Sequence, residues 1–103
     1  MTTQALIDAL GYQFGEETQG YPLPVRMAVE IATLDYQRGI SYEEASYNRA
    51  ENDFDARSVM FGNSAGLEAE RLLRWQEYDE KCKELGDEFR ARLDAIYRVA
   101  ALQ

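Results

Sequence analysis

Few side chains in this chain of 103 residues are equipped for chemistry. It has no histidine and one cysteine, Cys82, so the commonest general base and metal ligand is missing. Carboxylates are what remain. Glu44, Asn48, Glu51 and Asp55 follow an i, i+4, i+7, i+11 spacing that lines one face of a helix. Glu43 stands at the edge of this stripe, and Tyr42 and Tyr47 flank it. Glu51 and Asp55 are like charges one turn apart, which costs a helix a few tenths of a kcal/mol. Carboxylates spaced by a turn, with phenol hydroxyls beside them, present charge much as a phosphate backbone does. Such a face suits a basic groove that otherwise holds nucleic acid. The plainer alternative is a solvated acidic face, with Glu43 and Glu44 complementing a helix dipole.

Other chemistries find less support. Glu51, Asp53 and Asp55 offer oxygen ligands, but the stretch lacks the glycine and distal glutamate of a calcium loop. Two-metal helical bundles use Glu-x-x-His, which a histidine-free chain cannot supply. A glycine-rich phosphate loop, a nucleophile elbow and a Cys–His pair are all missing. The expectation is therefore a non-enzyme with no cofactor and no metal. Cys82 falls on an apolar seam and reads as a buried small hydrophobe. Being alone, it cannot close an internal disulfide, which fits a reducing, cytoplasmic setting.

The formal net charge is −8, with a pI near 4.5. A chain this acidic is repelled by nucleic acid and anionic membranes and attracted to basic surfaces. Direct nucleic-acid binding is not expected on that ground; binding to a protein that itself holds nucleic acid is compatible with it. The apolar start is short and interrupted by Asp8, unlike a signal peptide. No apolar run approaches the roughly 18 residues of a membrane span.

The elements that position these residues read as helices. Residues 4–10 make a short helix opened by Thr2 or Thr3 and closed at Gly11, with Leu6, Ile7 and Leu10 on one side. A loop follows, with Tyr12, Phe14 and Tyr21 tucked against the helices. Pro24 opens a helix to Arg38, with Gly39 as its cap. Apolar residues cover most of that helix except a stripe of Arg26, Glu30, Thr33 and Gln37, so it reads as a central helix. Ser41 and Glu44 form a capping box, and Ile40 with Ala45 has the spacing of a hydrophobic staple. A helix over 42–61, burying Ala50 and Phe54, with Val59, Met60 and Phe61 closing the last turn of that side and a stop at Gly62-Asn63, would then make an antiparallel helical hairpin with its predecessor.

Ser64 caps a long helix over 65–101. Leu72, Trp75, Tyr78, Cys82, Leu85, Phe89, Leu93, Ile96 and Ala100 recur along it at a mean step of about 3.5, an apolar seam. Its charges look self-compensated at i, i+4, as in Glu70 with Arg74, Asp79 with Lys83 and Glu88 with Arg92. The two preceding helices, about 22 and 30 Å long, are too short for a seam on a helix of about 57 Å. Either the long helix breaks near Gly86, or its exposed end meets another subunit through Leu85, Phe89, Leu93 and Ile96, as in a homodimer.

The expected fold is a single all-α domain, a small bundle of three to four helices with a helical hairpin and a long C-terminal helix. The expected function is a non-catalytic, acidic protein–protein interaction module. By analogy of size and charge alone, it suits an inhibitor that blocks the basic nucleic-acid-binding surface of a host complex, in the manner of a phage anti-defence protein. Tyr42, Glu43, Glu44, Tyr47, Asn48, Glu51 and Asp55 would meet the partner. The alternative is a structural or assembly subunit that oligomerises through the seam.

Overall fold

The computed structural model describes residues 15–102. A single 3-10 turn, Glu16–Thr18, precedes two long helices, α1 (Leu23–Phe61) and α2 (Ala65–Ala101). The described residues form helices joined by short turns and loops, without a strand, and the two long helices pack against each other. Pro24 sits in the first turn of α1, where its missing N–H is not needed. Gly62 ends the helix at φ +74°, and its N–H donates to the Ser58 carbonyl at 2.8 Å. The hydroxyl of Ser64 accepts the Leu67 N–H at 3.1 Å and so caps α2.

The hairpin expected at Gly39 is not formed. The segments 24–38 and 42–61 are one helix of 39 residues, and the capping box at Ser41 and Glu44 goes unused. Its worth, about 1 kcal/mol, is matched by the cost of about 1 kcal/mol for a glycine inside a helix. Local signals alone therefore decide little. An unbroken helix keeps the backbone hydrogen bonds that two new ends would orphan, and it sets Gly39 against Leu85. A Cβ at position 39 would stand 3.0 Å from Leu85 Cδ2. Gly86 does not break α2 either, since that helix runs through it. With 39 residues in α1 and 37 in α2, the length mismatch that called for a break or a second subunit disappears. Among the described residues two long helices therefore stand where three were expected. The expected helix over 4–10, with Tyr12 and Phe14, lies outside the described residues.

The chain divides into two compact units. In the first, residues 15–35 and 88–102, α1 buries Val25, Val29 and Ala32, while Phe89, Leu93, Ile96 and Ala100 of α2 are half-buried. Arg26, expected on a polar stripe, is buried instead. Its Nε donates to Thr18 Oγ1 at 3.1 Å, and Thr18 donates to the Gly15 carbonyl at 3.0 Å. These bonds pin the 3-10 turn over the first turn of α1 and satisfy the guanidinium that the turn covers. Tyr21 meets Tyr97 with ring centres 5.4 Å apart.

In the second unit, residues 36–87, the buried apolar side chains are Phe54 and Leu67. Here the seam departs from its hydropathy. Leu72 and Trp75 are exposed, and the positions turned inward on α2 are Leu67, Arg71, Arg74 and Tyr78. Those residues keep the step of three or four; two of them are arginines, received by Glu51, Asp55 and Ser46 of α1. Among the described residues no helix is long and apolar enough to cross a membrane.

Candidate interaction surfaces

The acidic stripe lies within the second unit, and its members have different surroundings. Glu44 and Asn48 are exposed to solvent. Glu51 and Asp55 share Arg71, whose Nη2 lies 3.3 Å from Glu51 Oε2 and donates to Asp55 Oδ1 as well. The like charges that strain an isolated helix are thus offset by one cation from α2. Asp53 lies 3.8 Å from Arg57, and Arg57 donates to Glu70 at 2.8 Å. Two guanidinium groups stand over the Phe54 ring, Arg57 at 5.8 Å and Arg71 at 5.9 Å, a placement that favours both charge and ring.

The flanking aromatics separate. Tyr47 is half-buried and stacks on Tyr78, with centroids 4.7 Å apart and planes 25° apart, beneath Arg74 at 5.9 Å. Burial raises the Tyr47 hydroxyl above its ordinary pKa, and the Glu51 carboxylate adds to the shift. Tyr78 is raised by burial and by its hydrogen bond with Cys82. Cys82 is half-buried. Tyr42 is 67% exposed and, at about 100° per residue, lies about 200° round the helix from Glu44. Glu43 is half-buried. Of the seven stripe residues, Glu44, Asn48 and Asp55 are exposed on one side of the helix, and of these Asp55 is held by Arg71.

Arg71, Arg57 and Arg74 are the cross-helix partners that sequence reasoning missed. The sequence pairs Arg74 with Glu70 along α2, and the structure sends Arg74 to Ser46 at 2.9 Å and Glu70 to Arg57. Likewise Arg92 reaches Asp35 of α1 at 2.7 Å where Glu88 was the expected partner. The pair of Asp79 and Lys83 is local, at 2.9 Å. A signal for the cross-helix role was available: Arg71 and Arg74 continue the spacing of Leu67 and Tyr78. Hydropathy alone selects Leu72 and Trp75 in their place.

The four residues expected to mediate self-association are half-buried. Leu85, in the second unit, packs at Gly39. Phe89, Leu93 and Ile96 belong to the first unit, and Ile96 lines an open apolar groove of about 390 Å³ with Pro24, Ala28, Ala95 and Val99. Arg92 is the charged residue of that lining. Comparison with protein-family models, curated proteins and solved structures returns no match.

Large apolar side chains also lie bare. Val59, Met60 and Phe61, at the end of α1, are 87%, 73% and 79% exposed. Leu72, Leu73 and Trp75 are exposed on α2. In the first unit Met27, Ile31 and Leu34 are exposed on the side of α1 turned away from Val25, Val29 and Ala32, which follows from the helical repeat.

Proposed function

We propose that this chain is a non-catalytic protein–protein interaction module that associates through apolar surface its own fold leaves bare. One observation carries the reading. Among the described residues five apolar side chains are buried, and thirteen large ones are exposed. Scattered exposed apolar residues are ordinary, but three consecutive ones at the end of a helix and an i, i+4, i+7 stripe on another face are the pattern of contact surfaces. Fractionation of a native extract tests this. The wild-type chain is expected to elute well above its 11.8 kDa, and V59S/M60S/F61S to elute near it. A wild type that runs as a free monomer contradicts the reading.

A second reading rests on the acidic stripe. Residues 36–87 hold twelve acidic side chains against seven basic ones, and Glu44, beside the exposed Asn48, turns part of that excess to solvent. On this reading the module occupies a basic, nucleic-acid-binding surface of its partner as an inhibitor. Because Arg71 ties down Glu51 and Asp55, the discriminating substitutions are Glu44→Lys and Asn48→Lys. They are expected to abolish capture of a nucleic-acid-binding protein that is retained at low salt and lost near about 0.5 M, where screening shortens to a few ångström. Unchanged capture by the double variant removes this reading.

A further inference from the structure

We infer that α1 is built with a second form, in which it ends at Gly39 and restarts at Ser41, and that Leu85 of α2 is the latch that keeps it continuous. The inference stands apart from the association proposed above. What a helix end and a helix start need lies together in residues 39–45 of α1. Gly39 can take the left-handed conformation that closes a helix. Ser41 and Glu44 are the two halves of a capping box, and Ile40 with Ala45 has the spacing of a staple across it. In the continuous helix the box goes unused. Ser41 and Glu44 are exposed there, and the N–H groups of Tyr42 and Glu43 go to carbonyls four residues back.

A break is easiest at this point. Relief of an interior glycine and gain of a cap together favour a break at Gly39 about thirtyfold over one at an uncapped alanine. The buried apolar side chains of α1, Val25, Val29, Ala32 and Phe54, lie about two turns or more away, so their packing survives it. In α2, Gly86 is the one glycine beyond the first turn. The two compact units of the chain part between Asp35 and Tyr36 in α1 and between Asp87 and Glu88 in α2. Each helix thus carries its interior glycine within about a turn of that point. Against the break stands Leu85, whose Cδ2 lies 3.0 Å from where a Cβ on residue 39 would be. A side chain so close to the backbone rests on the helical form of Gly39 and loses its seat when that residue turns left-handed. Whatever draws Leu85 away therefore frees the break.

Hydrogen exchange of the purified full chain, followed amide by amide by NMR and corrected for intrinsic rates, tests this. In the second form the box takes up the N–H groups of Ser41 and Glu44 and leaves those of Tyr42 and Glu43 to water. The Tyr42 and Glu43 amides are therefore expected to exchange about tenfold faster than those of Thr33 and Ala50, whose bonds survive the break. Two variants at the exposed Ser41 separate a cap from mere helix propensity. Ser41→Val removes the cap at nearly unchanged propensity, and Ser41→Asn keeps both. Ser41→Val is expected to slow exchange at Tyr42 and Glu43 about fivefold, and Ser41→Asn to leave it as it is. Leu85→Ala is expected to speed exchange at these two amides more than at Thr33 and Ala50. Three results overturn the inference: Tyr42 and Glu43 no faster than Thr33 and Ala50, Ser41→Val as fast as Ser41→Asn, or Leu85→Ala speeding all four amides alike.

Discussion

The same two helices are joined in two different ways. In residues 15–35 and 88–102, α1 turns small and branched apolar side chains inward, Val25, Val29 and Ala32, and the ion pair of Arg92 with Asp35 is exposed. In residues 36–87, Phe54 and Leu67 are the buried apolar groups, and arginines fill the positions between: Arg71 on Glu51 and Asp55, Arg57 on Glu70, Arg74 on Ser46 and over Tyr47. The first joint is mainly apolar, with one exposed ion pair between the helices. The second is directional, because a guanidinium must meet particular oxygens. Such contacts fix which residues face each other, and each exposed pair adds at most about 1 kcal/mol. Apolar burial supplies most of the stability in both units.

Phe54 is where the contrast is most exposed to disproof. Phe54→Ala removes the main apolar group of the arginine-rich unit and is expected to destabilise the chain by about 3 kcal/mol, read by urea unfolding. Val29→Ala, in the mainly apolar unit, is expected to cost about 2 kcal/mol, from two lost methyl groups and the space they leave. Its cost should be insensitive to salt. Arg71→Met separates the two joints more finely. It is expected to cost about 1 kcal/mol at low salt, where Glu51 and Asp55 are left to repel each other, and less at high salt, which screens that repulsion. A salt-independent cost would place Arg71 among packing groups, and the distinction between the joints would go.

How far the sequence reveals this molecule differs between the same two regions. The apolar residues Val25, Val29 and Ala32 are evident from type and spacing, although the helix they lie on looks apolar nearly all round. Which side is buried depends on α2 and on the 3-10 turn over Arg26, both tertiary. In the second region hydropathy misleads, since Leu72 and Trp75 look like core and Arg71 and Arg74 look like surface. Their roles depend on Glu51, Asp55 and Ser46, at sequence separations of 16 to 28 residues, which local patterning cannot register. The continuous helix through Gly39 is hidden for a related reason: a glycine before a capping box reads as a stop. The close approach of Leu85, which gives Gly39 its place, comes from 46 residues further along. The all-α character needs none of this and follows from periodicity. Of the acidic stripe, the spacing is legible and the neutralisation by Arg71 is not.

Two smaller effects extend the comparison. Asp35→Asn is expected to change stability by no more than a few tenths of a kcal/mol, since both partners of that pair are about half exposed. In alkali, the hydroxyls of Tyr47, Tyr78 and Tyr97 are all held above their ordinary pKa, chiefly by burial. The unfolded chain therefore releases those protons first as pH rises. Their contribution is complete below about pH 10 and is lost as pH climbs through the raised values. Phenolate absorbance is expected to show these three titrating late, and Tyr47→Phe to remove part of the alkaline sensitivity.

Association through bare apolar surface is tested most directly by hydroxyl-radical footprinting of Met60, Phe61 and Trp75, comparing the chain in its native extract with the same chain isolated at high dilution. All three are exposed in the chain itself, so the dilute protein is expected to label readily. Protection of Met60 and Phe61 in the extract is the expected result, since a module that associates through this surface must cover it. Equal labelling in both samples would show the surface to be idle, and the proposed mode of association would be wrong.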